Sequence, residues 1–224
     1  MGKKVERKHF EAEIILLNVR WYLKYPLSYR NLEEMMLERG LKVNHCTIFR
    51  WVQEYSPKID KKVRKHLKPT NDSLRVDETY IKVKGKWTYL YRAVDSDGNT
   101  IDFILSHRRN EKAAKRFFKK SLGSNHTKKP RVINVDKDKA YPASFKSLKK
   151  DKKLDKSTSL RQVKYLNNII EQDHRFIKKI TKYTLGFKSF KSANNTLKGI
   201  EAMHKIDFTT NEKEFINQLF SVAS

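Results

Sequence analysis

Residues 74–83 read LRVDETYIKV, and this stretch dominates the fold prediction. Apolar or aromatic side chains alternate with polar ones, and β-branched residues are frequent, which is typical of a β-strand. A Lys-Gly turn follows, and residues 87–94 (WTYLYRAV) alternate again. A second turn signal at residues 95–98 (DSDG) leads to a third predicted strand over residues 99–105. Three strands joined by short turns predict an antiparallel meander.

After the meander, helical and strand patterns alternate along the chain. A helical period covers residues 110–122, a short apolar strand follows at residues 131–135, and a long helix is predicted over residues 165–182. A Lys-rich stretch separates the last two elements. A meander followed by helix, strand and helix is the order of an RNase H-like α/β fold. We predict that class for residues 74–205.

The N-terminal part of the chain has helical periodicity over residues 10–57. Two helices are predicted at residues 29–39 and 45–55, joined by a turn that contains glycine, and Pro57 should end the second. Two helices with such a turn predict a helix-turn-helix, so we assign residues 1–57 to a small all-α DNA-binding domain. A plain helical hairpin with a solvated face is the alternative.

The second helix of this pair would supply the DNA-reading side chains. Its start should present polar groups of the types that contact base edges in the major groove. Those residues are Asn44, His45, Thr47 and Arg50. Two further segments complete the organisation: a basic linker at residues 58–73 and a weakly patterned tail at residues 206–224, to which we assign no function.

The charge of the chain indicates its partner. Its 224 residues include 50 Lys and Arg against 25 Asp and Glu, a formal net charge of +25. Such a charge indicates a polyanion, either nucleic acid or an anionic membrane. No stretch approaches the ~20 apolar residues of a spanning helix, and residues 1–13 lack the apolar core of a secretory signal, so we expect a cytoplasmic protein. The single Cys46 excludes an internal disulfide framework, and we expect it to pack in the helix-turn-helix.

Three acids on three different elements form the candidate site. Asp77 lies inside the first strand, Asp136 at the end of the fourth, and Glu171 on the long helix. A carboxylate within a β-branched strand is costly to bury unless something pairs with it. Mg²⁺ or Mn²⁺ is a suitable partner because hard cations prefer oxygen ligands. Two such ions ~3.5–4 Å apart can activate a nucleophile and stabilise the leaving oxygen of a phosphodiester.

The long helix also carries basic residues beside its acid. Glu171, His174, Arg175 and Lys178 have i, i+3, i+4 and i+7 spacing, so they share one face of the helix. That face would combine a carboxylate with three phosphate-contacting groups. The alternative is a solvated face on which Glu–Arg pairing contributes only ~0.2–0.5 kcal/mol.

Other acids compete with these three, and spacing alone does not rank them securely. Glu78 neighbours Asp77, but the alternation of the strand predicts that it points to the opposite face. The remaining candidates lie in or near turns, or two residues beyond a chosen acid: Asp95, Asp97, Asp102, Asp138 and Asp173.

Several long motifs of the chain resemble transposases of the insertion sequence six family. They cover most of residues 12–205 and include the helix-turn-helix. In chain order they are residues 22–57 (YLKYPLSYRNLEEMMLERGLKVNHCTIFRWVQEYSP), 75–103 (RVDETYIKVKGKWTYLYRAVDSDGNTIDF), 135–142 (VDKDKAYP), 165–179 (YLNNIIEQDHRFIKK) and 185–206 (LGFKSFKSANNTLKGIEAMHKI).

The resemblance implies an acidic DDE triad in a retroviral-integrase-like core. The family's first Asp, in its VDET motif, falls on Asp77. The second, in VDK followed by AYP, falls on Asp136, and the Glu followed by QDHR falls on Glu171. The 34 residues between the last two are the spacing that marks the family, and the basic residue seven positions after the Glu falls on Lys178. The family usually has more arginine after its HR, whereas this chain has Phe176 and Ile180 among the lysines, and its tail matches weakly.

The function implied by the resemblance is DNA transposition. The protein would bind the terminal inverted repeats of its element as a homo-oligomer on double-stranded DNA. Metal-dependent hydrolysis would free a 3′-hydroxyl, which would then attack target DNA. Two other classes stay open from the sequence: an RNase H-like nuclease or resolvase without strand transfer, and a non-catalytic DNA-binding regulator derived from a transposase.

Overall fold

The computed structural model describes residues 10–163, 168–183, 186–206 and 212–220, except for the side chains at positions 168, 169, 171, 172, 212 and 213. The chain divides into two compact units. One contains the residues up to Leu67 together with those from Lys179 onward, and the other contains Lys68–Lys178.

In the described part, the chain contains one mixed β-sheet and a series of helices. The strands are β1 (Ser73–Val83), β2 (Lys86–Asp95), β3 (Thr100–Ser106), β4 (Val132–Val135) and β5 (Ser159–Gln162). The helices are α1 (Ala12–Lys24), α2 (Tyr29–Leu37), α3 (His45–Val63), α4 (Glu111–Leu122), α5 (Ala140–Lys150), α6 (Asn168–Lys182), α7 (Phe190–Lys205) and α8 (Glu212–Leu219). A short 3₁₀ turn at Arg64–His66 follows α3.

The sheet has the order β3-β2-β1-β4-β5. The first three strands pair antiparallel, whereas β4 pairs parallel to β1 and β5 parallel to β4. This confirms the predicted meander and the RNase H-like α/β class. The turn between β1 and β2 is also confirmed. Lys84 and Gly85 both have positive φ, at 50° and 74°, as a two-residue hairpin loop with matching twist requires.

Helices α4 and α5 cover one face of the sheet, and a hydrophobic core lies between these two helices and the sheet. The α5 helix replaces part of the predicted Lys-rich connector, because Tyr141, Phe145 and Leu148 recur on one side and are buried. Core residues of the sheet and of both helices include Leu74, Val76, Tyr91, Ala93, Ala113, Ala114, Phe117, Phe118, Ile133, Val135, Tyr141, Phe145 and Leu148.

The helical unit differs from its prediction in two respects. Pro57 does not end α3, which continues to Val63. The missing N–H of Pro57 costs one helical hydrogen bond, but Ile59 and Val63 extend the buried stripe of the helix beyond it. In addition, α7 packs on α3 and α1, although the sequence assigned it to the catalytic region.

The contact with α7 is close at one glycine. A Cβ on Gly199 would lie 2.6 Å from both the Leu23 Cδ1 atom and the Ser56 Oγ atom, so the crossing requires the absence of a side chain.

The predicted start of the long helix at Tyr165 lies outside the described residues, and α6 ends at Lys182 as predicted. The weakly patterned tail contains α8. None of the helices among the described residues is long and apolar enough to span a membrane.

Candidate active site

Two of the predicted acids meet at the end of strand β4. The parallel register of β1 and β4 pairs Arg75 with Asn134. Two residues further along, Asp77 and Asp136 reach the same level of the sheet, on the same face. Carboxylate oxygens of Asp77, Glu78 and Asp136 lie within 4.8 Å of one another. The structure therefore brings Asp77 and Asp136 together, and it adds Glu78.

Glu78 lies opposite Tyr91 in the β1–β2 register and so points to the other face from Asp77, as the alternation predicted, but its carboxylate still reaches the two aspartates because β1 and β4 differ in length. The β1–β4 ladder stops before Glu78, since β4 ends at Val135 while β1 continues to Val83. At an open strand end, a long side chain can reach round toward the neighbouring acid. Alternation along one strand does not contain this information, because it depends on where the next strand stops.

Glu78 lies in a largely dry environment. Its side chain is only 4% exposed. Burial raises the pKa of Glu78 to about 7, the Tyr141 hydroxyl and the Arg109 guanidinium act in the lowering direction, and the charge of Asp136 raises it further. Burial is thus the main reason that Glu78 holds its proton more tightly than a free carboxyl group, and a cation beside it would act in the opposite direction.

Arg109 places a positive charge among the acids. It lies in the loop between β3 and α4, and its Nη2 atom is 2.8 Å from Asp136 Oδ2. Its Nε atom lies 3.3 Å from Glu78 Oε1 and 3.3 Å from Asp138 Oδ2. The sequence analysis missed Arg109, because one arginine in a basic loop of a chain with 50 Lys and Arg gives no distinguishing signal.

Helix α6 is fixed to the sheet by a buried ion pair. Arg92, directly opposite Asp77 in the β1–β2 register, is fully buried, and its Nη1 atom lies 2.6 Å from Asp173 Oδ2. Its guanidinium also stacks over the Phe176 ring at 5.0 Å. Phe176, a departure from the family motif, thus covers the ion pair. These contacts place α6 over the sheet face that carries Asp77.

His174 is corrected from a predicted DNA contact to an interior residue. It is 3% exposed, and its Nδ1 atom lies 3.9 Å from Asp77 Oδ2. Burial, followed by the charge of Arg92, lowers the pKa of His174 to about 3, so the imidazole is neutral at physiological pH. A buried neutral ring offers no cationic surface to a phosphate. The helical-face argument grouped His174 with Glu171, Arg175 and Lys178, but His174 also lies four residues after Ile170 and three before Ile177, and the burial of these two isoleucines takes it to the interior side.

The other predicted residues of α6 are Glu171, Arg175 and Lys178. Glu171 lies on this helix, and its side chain is outside the described part of the chain. Arg175 and Lys178 are exposed, as DNA-contacting residues must be. Lys178 is also close enough to His174 for its charge to contribute to the lowered pKa of the ring.

The predicted DNA-reading residues begin helix α3. Asn44 caps the helix, since its Oδ1 atom accepts a 2.8 Å hydrogen bond from the Cys46 N–H. The His45 Nδ1 atom lies 2.8 Å from Glu33 Oε2, so this ring is engaged with α2. Thr47 is half-buried and Arg50 is exposed, which leaves Arg50 the most available for a base. Cys46 is exposed and not packed as predicted.

Comparisons with known proteins place the chain in a family. The family model of an IS240-type DDE domain matches residues 71–210. The chain is 41% identical over 200 residues to the transposase for insertion sequence-like element IS431mec of Staphylococcus aureus, with 89% of this chain and 86% of the relative covered. It is 40% identical, with the same coverage, to the transposase for insertion sequence element IS257 in transposon Tn4003 of Staphylococcus aureus.

A solved structure of the HTLV-2 integrase catalytic core domain in complex with magnesium matches 62% of this chain and 90% of its own, at 17% identity and a TM-score of 0.48. The chain belongs to the DDE transposases of the insertion sequence six family, which are enzymes that cleave DNA and transfer its strands.

Proposed function

We propose that Asp77, Asp136 and Glu171 are the catalytic acids of this transposase and that they hold two Mg²⁺ or Mn²⁺ ions. The observation that carries the proposal is the convergence of carboxylate oxygens from Asp77, Glu78 and Asp136 within 4.8 Å. Hard oxygen donors at this separation suit a small divalent cation. Burial raises the pKa of Glu78 and the charge of Asp136 adds to that rise, so a cation beside these acids would favour their ionised forms.

Glu171 joins the site by an argument from helix spacing. His174, one turn after Glu171, reaches to 3.9 Å from Asp77, and Asp173 is bonded to Arg92 beside Asp77. Positions three apart on a helix share a face, so the position of Glu171 fits a third ligand above the same end of the sheet. The buried Arg92–Asp173 pair then has a positioning role, because it fixes the helix that carries Glu171.

The bound ions would polarise the scissile phosphate and lower the pKa of a water or 3′-hydroxyl for in-line attack. The protein residues bind and orient. Asp77, inside β1, and Asp136, directly after β4, would hold the cations, and His174 lies 3.9 Å from Asp77 on the interior side as a neutral ring. Exposed Arg175 and Lys178 would hold phosphates of the DNA end beside the acids.

DNA recognition is assigned to the helical unit. We propose that α3 reads the terminal inverted repeats of the element, with Arg50 and Thr47 contacting base edges and Asn44 and His45 fixing the start of the helix. The protein would act on repeats and target DNA as a homo-oligomer in the bacterial cytoplasm. The support is the net charge of +25 and the bacterial transposases to which the chain is similar.

The test is a comparison of Asp136→Asn with Asp97→Asn. Asp97 is exposed at the β2–β3 turn, so its variant matches the chemical change outside the cluster. We expect Asp136→Asn to reduce cleavage and strand transfer at the transposon end to background in Mg²⁺ or Mn²⁺. Binding of the same DNA in EDTA should be unchanged, and Asp97→Asn should retain all three activities. Strand transfer by Asp136→Asn at the wild-type rate would refute the assignment. Cleavage by the wild type without joining would favour a nuclease.

A further inference from the structure

The β1–β2 hairpin carries exposed aromatic rings on the sheet face that bears Glu78. The register pairs Glu78 with Tyr91, Tyr80 with Tyr89, and Lys82 with Trp87, so alternation places these side chains on one face. Burial falls steadily along that face. Tyr91 is fully buried and Tyr89 is half-buried, whereas Tyr80 is 49% and Trp87 is 65% exposed.

The exposed rings form a continuous group. The ring centroids of Tyr80 and Tyr89 are 5.3 Å apart, and those of Tyr80 and Trp87 are 6.5 Å apart. We call Tyr80, Trp87 and Tyr89 the aromatic platform. The opposite face of the hairpin is buried at Ile81 and Val83, so the hairpin already has an apolar anchoring face. Exposure of two large rings on the other face is costly in water and indicates a surface that something covers.

The charge around the aromatic platform is positive. Lys82, Lys84 and Lys86 are exposed on the same hairpin. Its nearest acid in the sequence, Glu78, is bonded to Arg109. Flat rings interleaved with lysines are the combination that binds single-stranded nucleic acid, where bases stack on the rings and phosphates lie on the cations.

The aromatic platform lies on the sheet face opposite to Asp77 and is linked to the proposed active site through Glu78, which shares its face. Two residues of a strand span ~6.6 Å, so Tyr80 follows Glu78 at that distance and Lys82 follows at ~13 Å. The carboxylate of Glu78 lies within 4.8 Å of those of Asp77 and Asp136. A strand of DNA leaving the acids along this face would therefore meet the rings within a few nucleotides.

We propose that the aromatic platform binds unpaired nucleotides of the DNA strand next to the scissile phosphate. One base stacks on Trp87 or Tyr80, and Lys82 and Lys86 contact the backbone. Unpaired nucleotides fit better than duplex, because paired bases are stacked on each other and leave no free face for an aromatic ring. The location of the strand rests on the proposed function, whereas the stacking itself does not require catalysis.

The experiment measures binding of the full-length protein in EDTA, so that no cleavage occurs. The probes are a blunt hairpin duplex and the same duplex with a short unpaired thymine tail, each followed by fluorescence anisotropy. We expect Trp87→Ala to weaken binding of the tailed probe about tenfold and to leave the blunt probe nearly unaffected. Trp87→Phe should keep most of the affinity because it keeps a ring. Tyr183→Ala, which removes another exposed ring, should change neither.

Two further readouts separate the alternatives. A 5-iodouracil in the tail should photocrosslink to the peptide that contains Trp87, and Lys82→Ala should lower the salt dependence of tailed-probe binding more than Lys146→Ala on α5 does.

Equal affinities of wild type and Trp87→Ala for the tailed probe would overturn the proposal. So would loss of self-association in Trp87→Ala with unchanged tail binding, since the rings would then contact a second copy. Because the assay contains no metal, an outcome here is independent of the Asp136→Asn test.

Discussion

At the scale of single residues, the candidate site consists of four charged side chains: Asp77, Glu78, Asp136 and Arg109. Asp77 and Asp136 were predictable, because an acid inside one strand and an acid at the end of its parallel neighbour meet at one sheet edge. Glu78 and Arg109 were not. The position of Glu78 depends on where β4 stops, and the position of Arg109 depends on the path of a loop.

The prediction at this scale concerns the positive charge that Arg109 places among the acids. In the metal-free protein its guanidinium contacts Glu78, Asp136 and Asp138. Arg109→Ala should therefore leave these acids repelling one another and lower the metal-free stability by ~1–3 kcal/mol. Added Mn²⁺ can replace the lost positive charge, so the rise in melting temperature on adding Mn²⁺ should be larger in the variant than in the wild type. Differential scanning fluorimetry with and without Mn²⁺ measures both effects.

The control for this prediction is Arg131→Ala. Arg131 is well exposed and pairs with Asp72 at 3.2 Å, away from the acid cluster. Its variant should show the wild-type response to Mn²⁺. A metal response of Arg109→Ala equal to that of Arg131→Ala would mean that Arg109 does not neutralise the acid cluster.

At the scale of elements, the periodicity of the sequence predicted helix α6 but not all of the residues on its buried face. The pattern predicted the helix and its end at Lys182 correctly. It did not reveal that His174 faces the sheet beside Asp173, because a helix with polar residues on several sides does not show how wide its buried face is until its partner is known. A buried arginine on β2 selects the face by pairing with Asp173. The site helix is thus held by these polar contacts as well as by buried Ile170 and Ile177, and its polar contacts are sensitive to pH.

The prediction for helix α6 concerns the effect of His174 on the pH dependence of stability. Its pKa is lowered to about 3 in the folded protein, against an ordinary value of ~6.5. Between these values the unfolded chain binds a proton that the folded chain does not, so acidification favours unfolding. At about pH 5 the cost should be ~2 kcal/mol relative to pH above ~6.5. His174→Gln should remove that part of the pH dependence, measured by urea unfolding of the metal-free protein at about pH 7.5 and about pH 5.

Glu78 acts in the opposite direction, because its pKa is raised to about 7 and folding then weakens as the pH rises from ~4.5 toward 7. The comparison is therefore made between variant and wild type, which share Glu78. His66→Gln, at an exposed position, should keep the wild-type difference between the two pH values. An identical pH difference in His174→Gln and wild type would contradict the burial of a neutral ring at this position.

At the scale of the whole molecule, the division into units could only be predicted in part. The helical N-terminal region and the mixed sheet were both recognisable from their periods. The membership of α7 in the helical unit was not, because an amphipathic pattern shows that a helix packs but not on which partner. The close approach at Gly199 and the burial of Ile200 show that α7 is part of that core.

The helical unit implies two kinds of DNA contact, base and phosphate, which a pair of substitutions within it can separate. Arg50 is exposed on α3 and would contact a base, so Arg50→Ala should weaken binding of the terminal repeat by ~1–3 kcal/mol and random DNA much less. Lys65, exposed in the basic segment after α3, would contact phosphate alone. Lys65→Ala should weaken both DNAs alike and reduce the slope of log K against log salt by ~0.9. Fluorescence anisotropy over a salt series on both DNAs measures these values. Equal losses on repeat and random DNA for Arg50→Ala would remove Arg50 from sequence recognition, because a phosphate contact alone has that effect.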